Sequence, residues 1–582
     1  MSVARMQSAT AAAVAFLLAL PGLAQTPAPQ STPPAPASKP PAAGAPAQPA
    51  PAPAAQAPKP AGAAPAAPPQ AGAQPGQPAP SPGTQAPKPA GAPAPAQPGQ
   101  APAAGAAPAA AAQPGQQQAT GDQPPQKVDP KIFDEALKDY FDNKQEQAAR
   151  KLYAFIESTP PTDENFAWAQ YFLARCLIDL SLRHAGAVYL AKVAHERSNP
   201  QVLPKTLEAL KVLTQVPHDE VLIDEQIFGS LDLGFLPDSV SDYANYQQGL
   251  VDLRVGNERW AKTHFVKLDE EGVESSRAKF ALLVTRLKNA KQVDDQVIDD
   301  FLELSKDQKL TLEARNEARL AVARLRYEKK DYEGALKAYD LVQLPSLDPG
   351  RATLYLEEAW TRYNLGQLRA TIGLLTTLDA PSFRDEFLPD KYILRALVYR
   401  DLCQYLPAKR AAKELTRRFS DSLEAIRERD DLTQDFRLRR AANSHGSTKR
   451  AAKFLESLNL EGEQLGRHAG GFGDRLYKHL QKVYDLAHAE SERIYQQRLR
   501  DAVREEADKL LRADEQVRLM EYEVGLKLYE RVKRGAKLVL PEKQPALTSA
   551  QIAFKFTGEY WNDELRSYRV TIPSRCIEEG AQ

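Results

Sequence analysis

Lys330-Asp331-Tyr332-Glu333-Gly334-Ala335-Leu336-Lys337-Ala338-Tyr339 is the stretch that decides the fold. Tyr332, Ala335 and Tyr339 fall at +0, +3 and +7, the spacing of a helix that buries one face. Ala323 lies twelve residues before Ala335, in the helical pattern EARLAVARLRY. Small side chains at both positions let two helix backbones approach closely.

The same frame recurs on either side. Ala149 is followed by Tyr153 and Ile156; Gly186 follows Ala174 by twelve residues, and Ala261 follows Gly249 by twelve. Thr371 pairs with Ala359 and Ala408 with Ala396 in the same way. The spacings from Ala149 through Gly186, Ala261, Ala335 and Thr371 to Ala408 are 37, 75, 74, 36 and 37 residues. Two units near 223 and 298 therefore lack the small-residue frame. The pattern resembles the tetratricopeptide repeat, with a period near 37 in place of the family's usual 34. The resemblance implies an all-α solenoid of helix pairs over residues 127–425, whose groove binds peptide or protein segments.

Outward from the repeats, the composition changes abruptly. Residues 1–24 have an Arg5 n-region, an apolar run from Ala9 to Leu20 and small residues before Gln25, which predicts a signal peptide cleaved after Ala24. Residues 25–126 are almost wholly Ala, Pro, Gln and Gly. Of the chain's 46 prolines, 31 lie between Pro21 and Pro125. Such a segment has too little large apolar surface to offset its ordering entropy and reads as a disordered tether. Two readings fit it equally: a spacer that reaches through a cell-wall layer, or a spacer without a partner.

Beyond residue 126 the chain holds 71 basic and 74 acidic side chains, a balance that argues against nucleic-acid binding. No internal run reaches the ~18 apolar residues of a membrane span. Cys176, Cys403 and Cys576 are too scattered for a disulfide framework or a zinc site. Cys176 and Cys403 read as core fillers, and Cys576 has no evident partner.

Residues 426–540 lack proline, and no glycine falls between Gly473 and Gly525. A stripe from Leu499 through Val503, Leu510, Val517 and Val524 to Val532 predicts a long helix, preceded by an amphipathic segment from Thr448 to Leu465. Both a helical hairpin packed on the solenoid and a coiled-coil dimer fit, the first better. In 541–582, Gln551–Phe556 and Tyr568–Ile572 alternate at period two, predicting a small β-hairpin or two strands that cap the helical body.

No residue is assigned to catalysis, cofactor binding or metal binding. The eight histidines show no metal-ligand spacing, the Gly470-Gly471-Phe472-Gly473 loop lacks a phosphate-binding frame, and Asp294-Asp295 with Asp299-Asp300 reads as helix-terminal charge. Trp168, Trp260, Trp360, Tyr560 and Trp561 are candidate partner anchors; packing between repeats is the alternative for the three repeat tryptophans. The order of segments and the tail FTGEYWNDELRSYRVTIPSRC resemble the periplasmic tetratricopeptide proteins of myxobacterial gliding-motility machinery. That resemblance implies a place in an envelope-spanning motility complex; the signal, tether, solenoid and long helix together fit a non-enzymatic periplasmic scaffold whose partners are other envelope proteins. The alternative is an assembly or chaperone-like factor for outer-membrane proteins or cell-wall enzymes.

Overall fold

The structure, a computed structural model, describes residues 131–535, apart from 198, 230–232, 234–235, 290–293, 347 and 430, together with residues 558–576. The signal, the tether and the Gln551–Phe556 alternation lie outside the described residues. Among the described residues all regular structure is helical.

Antiparallel pairs follow one another along the chain: α1 (Lys131–Phe141) with α2 (Gln145–Ser158), and α3 (Phe166–Asp179) with α4 (Arg183–Glu196). After α5 (Val202–Leu213) and a π-helical segment (Val221–Phe228) come α6 (Asp238–Arg254) with α7 (Glu258–Phe265) and α8 (Val273–Asn289) with α9 (Asp295–Leu304). The last three are α10 (Leu312–Glu328) with α11 (Tyr332–Asp340), α12 (Gly350–Asn364) with α13 (Leu368–Thr377), and α14 (Asp390–Asp401) with α15 (Tyr405–Arg418). Each unit packs on the next, as a helical-repeat array requires.

Six of these pairs share one turn. Asn143, Ser181, Gly256, Lys330, Gly366 and Cys403 each take a left-handed backbone, with φ between 55° and 83°. The N–H of the next residue donates to the carbonyl five residues back at 2.8–2.9 Å (Lys144 to Asp139, Leu182 to Leu177, Asn257 to Asp252, Asp331 to Arg326, Gln367 to Arg362, Gln404 to Tyr399). This closure satisfies a terminal helix carbonyl and reverses the chain within three residues. Five residues after each left-handed position comes the buried small residue: Gly186, Ala261, Ala335, Thr371 and Ala408. Their partners Ala174, Gly249, Ala323, Ala359 and Ala396 are buried as well.

In the first unit the turn at Asn143 selects Ala148, opposite Ala136, and both are fully buried. The expected Ala149 is buried one position out of register. The glycines show why size matters. A Cβ on Gly186 would lie 2.6 Å from Ile178 Cγ1 and 3.0 Å from the Ala174 carbonyl, and one on Gly249 would fall on the Phe265 ring. At the two irregular units, buried Ile223 and Ile298 occupy the small-residue position, and the connections into them are longer.

After α16 (Ser420–Glu428) and α17 (Phe436–Ala442), α18 (Gly446–Arg467) and α19 (Ala469–Lys533) form a helical hairpin. α19 packs on the array, as the hairpin reading expects, and reaches both of its ends. Phe472, Leu476, Leu480 and Tyr484 share a core with Leu152, Leu190 and Ile223 of the first units. Leu499, Val503, Leu510, Val517 and Met520 share another with Ile393, Leu397 and Leu415 of the last pair. At 1.5 Å per residue, this one helix bridges ~80 Å. The glycine loop is where it docks: a Cβ on Gly471 would meet the Glu146 carboxylate, Gly473 turns the chain at φ 69°, and His468 Nδ1 lies 2.6 Å from Glu146.

The tail corrects the sequence reading. Tyr568–Ile572 forms no strand; it is extended backbone laid against α12, α13 and the α14–α15 turn. Alternation at period two reflects one side facing a helical wall, with Tyr568, Val570 and Ile572 packed and Arg569 and Thr571 exposed. A second correction concerns the cysteines. Cys403 and Cys576 form a disulfide across 173 residues, with Cα atoms 5.1 Å apart. Cys176 is the buried filler expected, and burial pushes its thiol pKa up.

Candidate functional site

The strongest concentration of unusual contacts lies where the tail crosses the last two repeat pairs. The tail enters through Gly558, φ 106°, and a short turn at Trp561–Glu564. Leu565 then inserts among Tyr355, Leu375, Leu378 and Phe383. Gly373 on α13 has no side chain to obstruct the Tyr568 carbonyl, which occupies the place a Cβ would take. The hydroxyl of Thr377 donates to the Leu565 carbonyl, and Val570 N–H donates to the Arg369 carbonyl at 3.1 Å.

Charge fixes the register. The Glu358 side chain is wholly buried and accepts from Arg362 at 3.0 Å and from Arg566 Nε at 3.0 Å. Arg566 also reaches Asp340 at 2.7 Å. Farther along, Gln404 donates to the Pro573 carbonyl at 2.8 Å, and Arg575 N–H donates to the Leu402 carbonyl at 3.0 Å. Arg531 of α19 donates to the carbonyls of Cys403 and Arg575 and stacks over Tyr405. Repeat turn, long helix and tail therefore meet at the disulfide.

Between strap and repeats runs a cleft of about 490 Å³. Leu368, Ile372, Leu402, Val570 and Ile572 line it, and Arg369 and Arg569 stand on its rim. An extended apolar segment fits such a cleft; Arg569 Nη1 is already bonded to the Arg566 and Tyr568 carbonyls at 3.3 and 2.8 Å.

The candidate anchors divide by burial. Trp561 and Trp260 are 58% and 63% exposed. Trp168 is half-buried and stacks on Phe172 with ring centroids 5.8 Å apart. Trp360 is half-buried between the cores of the last two pairs, edge-on to Tyr363, and Tyr560 packs beside Tyr568. The structure does not bring the five together. Trp168 and Trp360 are each half-buried against neighbouring side chains.

Elsewhere, two acidic clusters are already paired with cations. His445 Nε2 lies 2.6 Å from Glu506, and Lys509 binds both Glu505 and Glu506 at 2.8–2.9 Å, so an ammonium already fills the one His–Glu–Glu grouping among the described residues. Asp294 caps α9 and pairs with Arg286, and Asp295 pairs with Lys329. Burial, then the nearby Glu313, push the Glu317 carboxyl up to about 8, so it is mostly protonated at neutral pH.

Sequence reasoning missed the Glu358–Arg566 pair and the disulfide, both of which join residues far apart in the chain. No protein-family model matches this chain, and no curated protein matches it.

Proposed function

We propose that this chain is an exported, non-enzymatic scaffold of the tetratricopeptide type that holds partner proteins in a bacterial cell-envelope complex, with gliding motility the machinery its layout resembles. The observation that carries the reading is the series of six three-residue, left-handed turns, each followed by a buried small residue. They build a stack of helix pairs whose outward surface is available for binding. The Cys403–Cys576 disulfide supports an oxidising compartment, where such bonds persist. Exposed Trp561, on the same strap as the arginine-rimmed cleft, supports a partner surface at the C-terminal end of the array.

The test is affinity capture from envelope extracts with the full chain and with Trp561→Ala and Arg369→Glu variants. Subunits of trans-envelope or motility machinery, retained by the native chain and lost by the variants, would bear the proposal out. Outer-membrane barrel components or unfolded porins in their place would point to an assembly factor. Recovery of the native protein in the cytosol with Met1 intact would overturn the export reading.

A further inference from the structure

The last turns of α19 carry a second apolar face that the fold leaves bare. Leu519, Tyr522, Leu526 and Tyr529 are spaced +3, +4 and +3, and each is between 47 and 67% exposed. At 100° per residue they lie opposite Val517, Met520 and Val524, which are buried on the last repeat pair. Exposed apolar side chains scattered singly need no explanation, but four aligned on one helix face do. Their spacing is that of a and d positions over two heptads.

We propose that this face is a dimer interface that takes the same face of a second copy of this chain, with the two helices parallel. Charge chooses both occupant and direction. With the leucines at a and the tyrosines at d, Glu523 and Glu530 fall at e and Arg518 at g. An antiparallel pair would set the glutamates of one copy against those of the other. A parallel pair sets each Arg518 beside Glu523 of the second copy, twice by symmetry. Arg518 bonds Asp514 through Nε at 2.8 Å, and Glu523 lies 3.6 Å from Arg400, so each keeps exposed atoms for a further partner. The seam is short. Four side chains per helix bury on the order of 800 Å² in all, below the ~1,200 Å² at which stable specific interfaces begin, so the dimer is weak and concentration-dependent. The inference stands independently of the scaffold reading. If both hold, pairing doubles the number of partner surfaces on one assembly.

The test uses the full chain in analytical ultracentrifugation from ~1 to ~200 µM, spanning the range of a weak interface, together with single-cysteine crosslinking. Cys176 is buried and the other two cysteines are bonded, so an introduced thiol reacts without competition. The expected result is a concentration-dependent dimer that Leu526→Cys locks covalently and Lys527→Cys, off the seam, does not. Tyr522→Lys with Leu526→Lys should give a monomer throughout. A monomer at every concentration overturns the proposal. So does a dimer that survives the double lysine variant, or one that Leu526→Cys fails to lock. A monomer whose Leu526→Cys thiol is shielded would show that residues 536–557 of the same chain cover the face.

Discussion

The carbonyl oxygen of Tyr568 occupies the space where a Cβ on Gly373 would stand, so one absent methyl decides whether the tail can lie against α13. This relationship makes a prediction whose sign depends on the tail. In an isolated helix, glycine to alanine stabilises by about 1 kcal/mol. In the full chain, Gly373→Ala must displace a backbone and should destabilise by about 1–3 kcal/mol, as overpacking does. In a chain ending before Gly558 the same change should stabilise. Chemical unfolding of the four proteins measures both signs, and a stabilised full-length Gly373→Ala would show that the strap is not seated there.

Arg566 should matter for what it leaves behind. Glu358 is wholly buried, and Arg566→Ala would leave it with Arg362 alone. Loss of one partner from a buried ion pair costs up to about 3–5 kcal/mol, and Arg362 should hold the loss to about half of that. Glu358→Gln should recover part of it in the double variant. Equal and additive losses in unfolding experiments would mean that the two side chains act independently.

The repeats were legible because their signal is local. Aromatic–small–aromatic spacing and the recurrence of Ala and Gly twelve residues apart report contacts within a single helix pair. The frame slipped by one at Ala149 because two adjacent alanines are both buried and only the turn at Asn143 tells them apart. Four of the six left-handed turn residues are Asn, Ser, Lys and Cys, so glycine marked only two of the turns. The tail was misread for another reason. Period-two alternation states that one side of an extended chain is covered, without stating by what; here helix α13 covers it. Arg566 with Glu358, and Cys403 with Cys576, join positions 208 and 173 residues apart, and a single sequence carries no local trace of either pairing.

Overpacking tests the frame itself. Ala335 and Ala408 are at most 1% exposed, and each faces its partner helix. Ala335→Leu and Ala408→Leu should each cost about 1–3 kcal/mol. Ala154→Leu, exposed on α2, serves as a control in the same thermal melts. Unchanged unfolding in both repeat variants would count against the helix-pair register.

The disulfide closes a very long loop. In the chain-entropy model a loop of this size restrains the unfolded chain by about 5 kcal/mol, and measured values usually fall nearer 2–4. Reduction, or Cys403→Ser with Cys576→Ser, should therefore lower the melting temperature and expose the tail to protease before the repeats unfold. Non-reducing peptide mapping of the native protein should recover the two cysteines in one linked fragment. Two free thiols in protein taken from its own cells would contradict both the bond and the oxidising compartment.

Acid should loosen the grip of α19 on the first repeats. His479 stacks against Tyr153, 5.1 Å between ring centroids, and lies 6.2 Å from Tyr189, with its Nε2 buried and without a hydrogen-bond partner. Burial, then Lys192 and Lys482, hold its pKa below the ordinary 6.5, with Glu157 opposing. Burial lowers His184 in the same direction, with Asp219 opposing. For a base whose folded pKa is depressed, the unfolded chain binds more protons, so the stabilisation is present above about pH 6.5 and lost as pH falls. His218 has the opposite sign: burial lowers it, but the Asp224 carboxylate raises it further, so its contribution fades as pH rises. His479 lies on α19 and His184 meets its Tyr484, whereas Glu461, bonded to the same tyrosine and raised by burial, opposes them; the two imidazoles set the expected direction. Hydrogen exchange over residues 472–487, corrected for intrinsic rates, should be faster at pH 5.5 than at pH 7.5. His479→Phe keeps the ring packing without the titration and should shrink the difference. An unchanged pH dependence in that variant would show that the docking of α19 is not coupled to the imidazole.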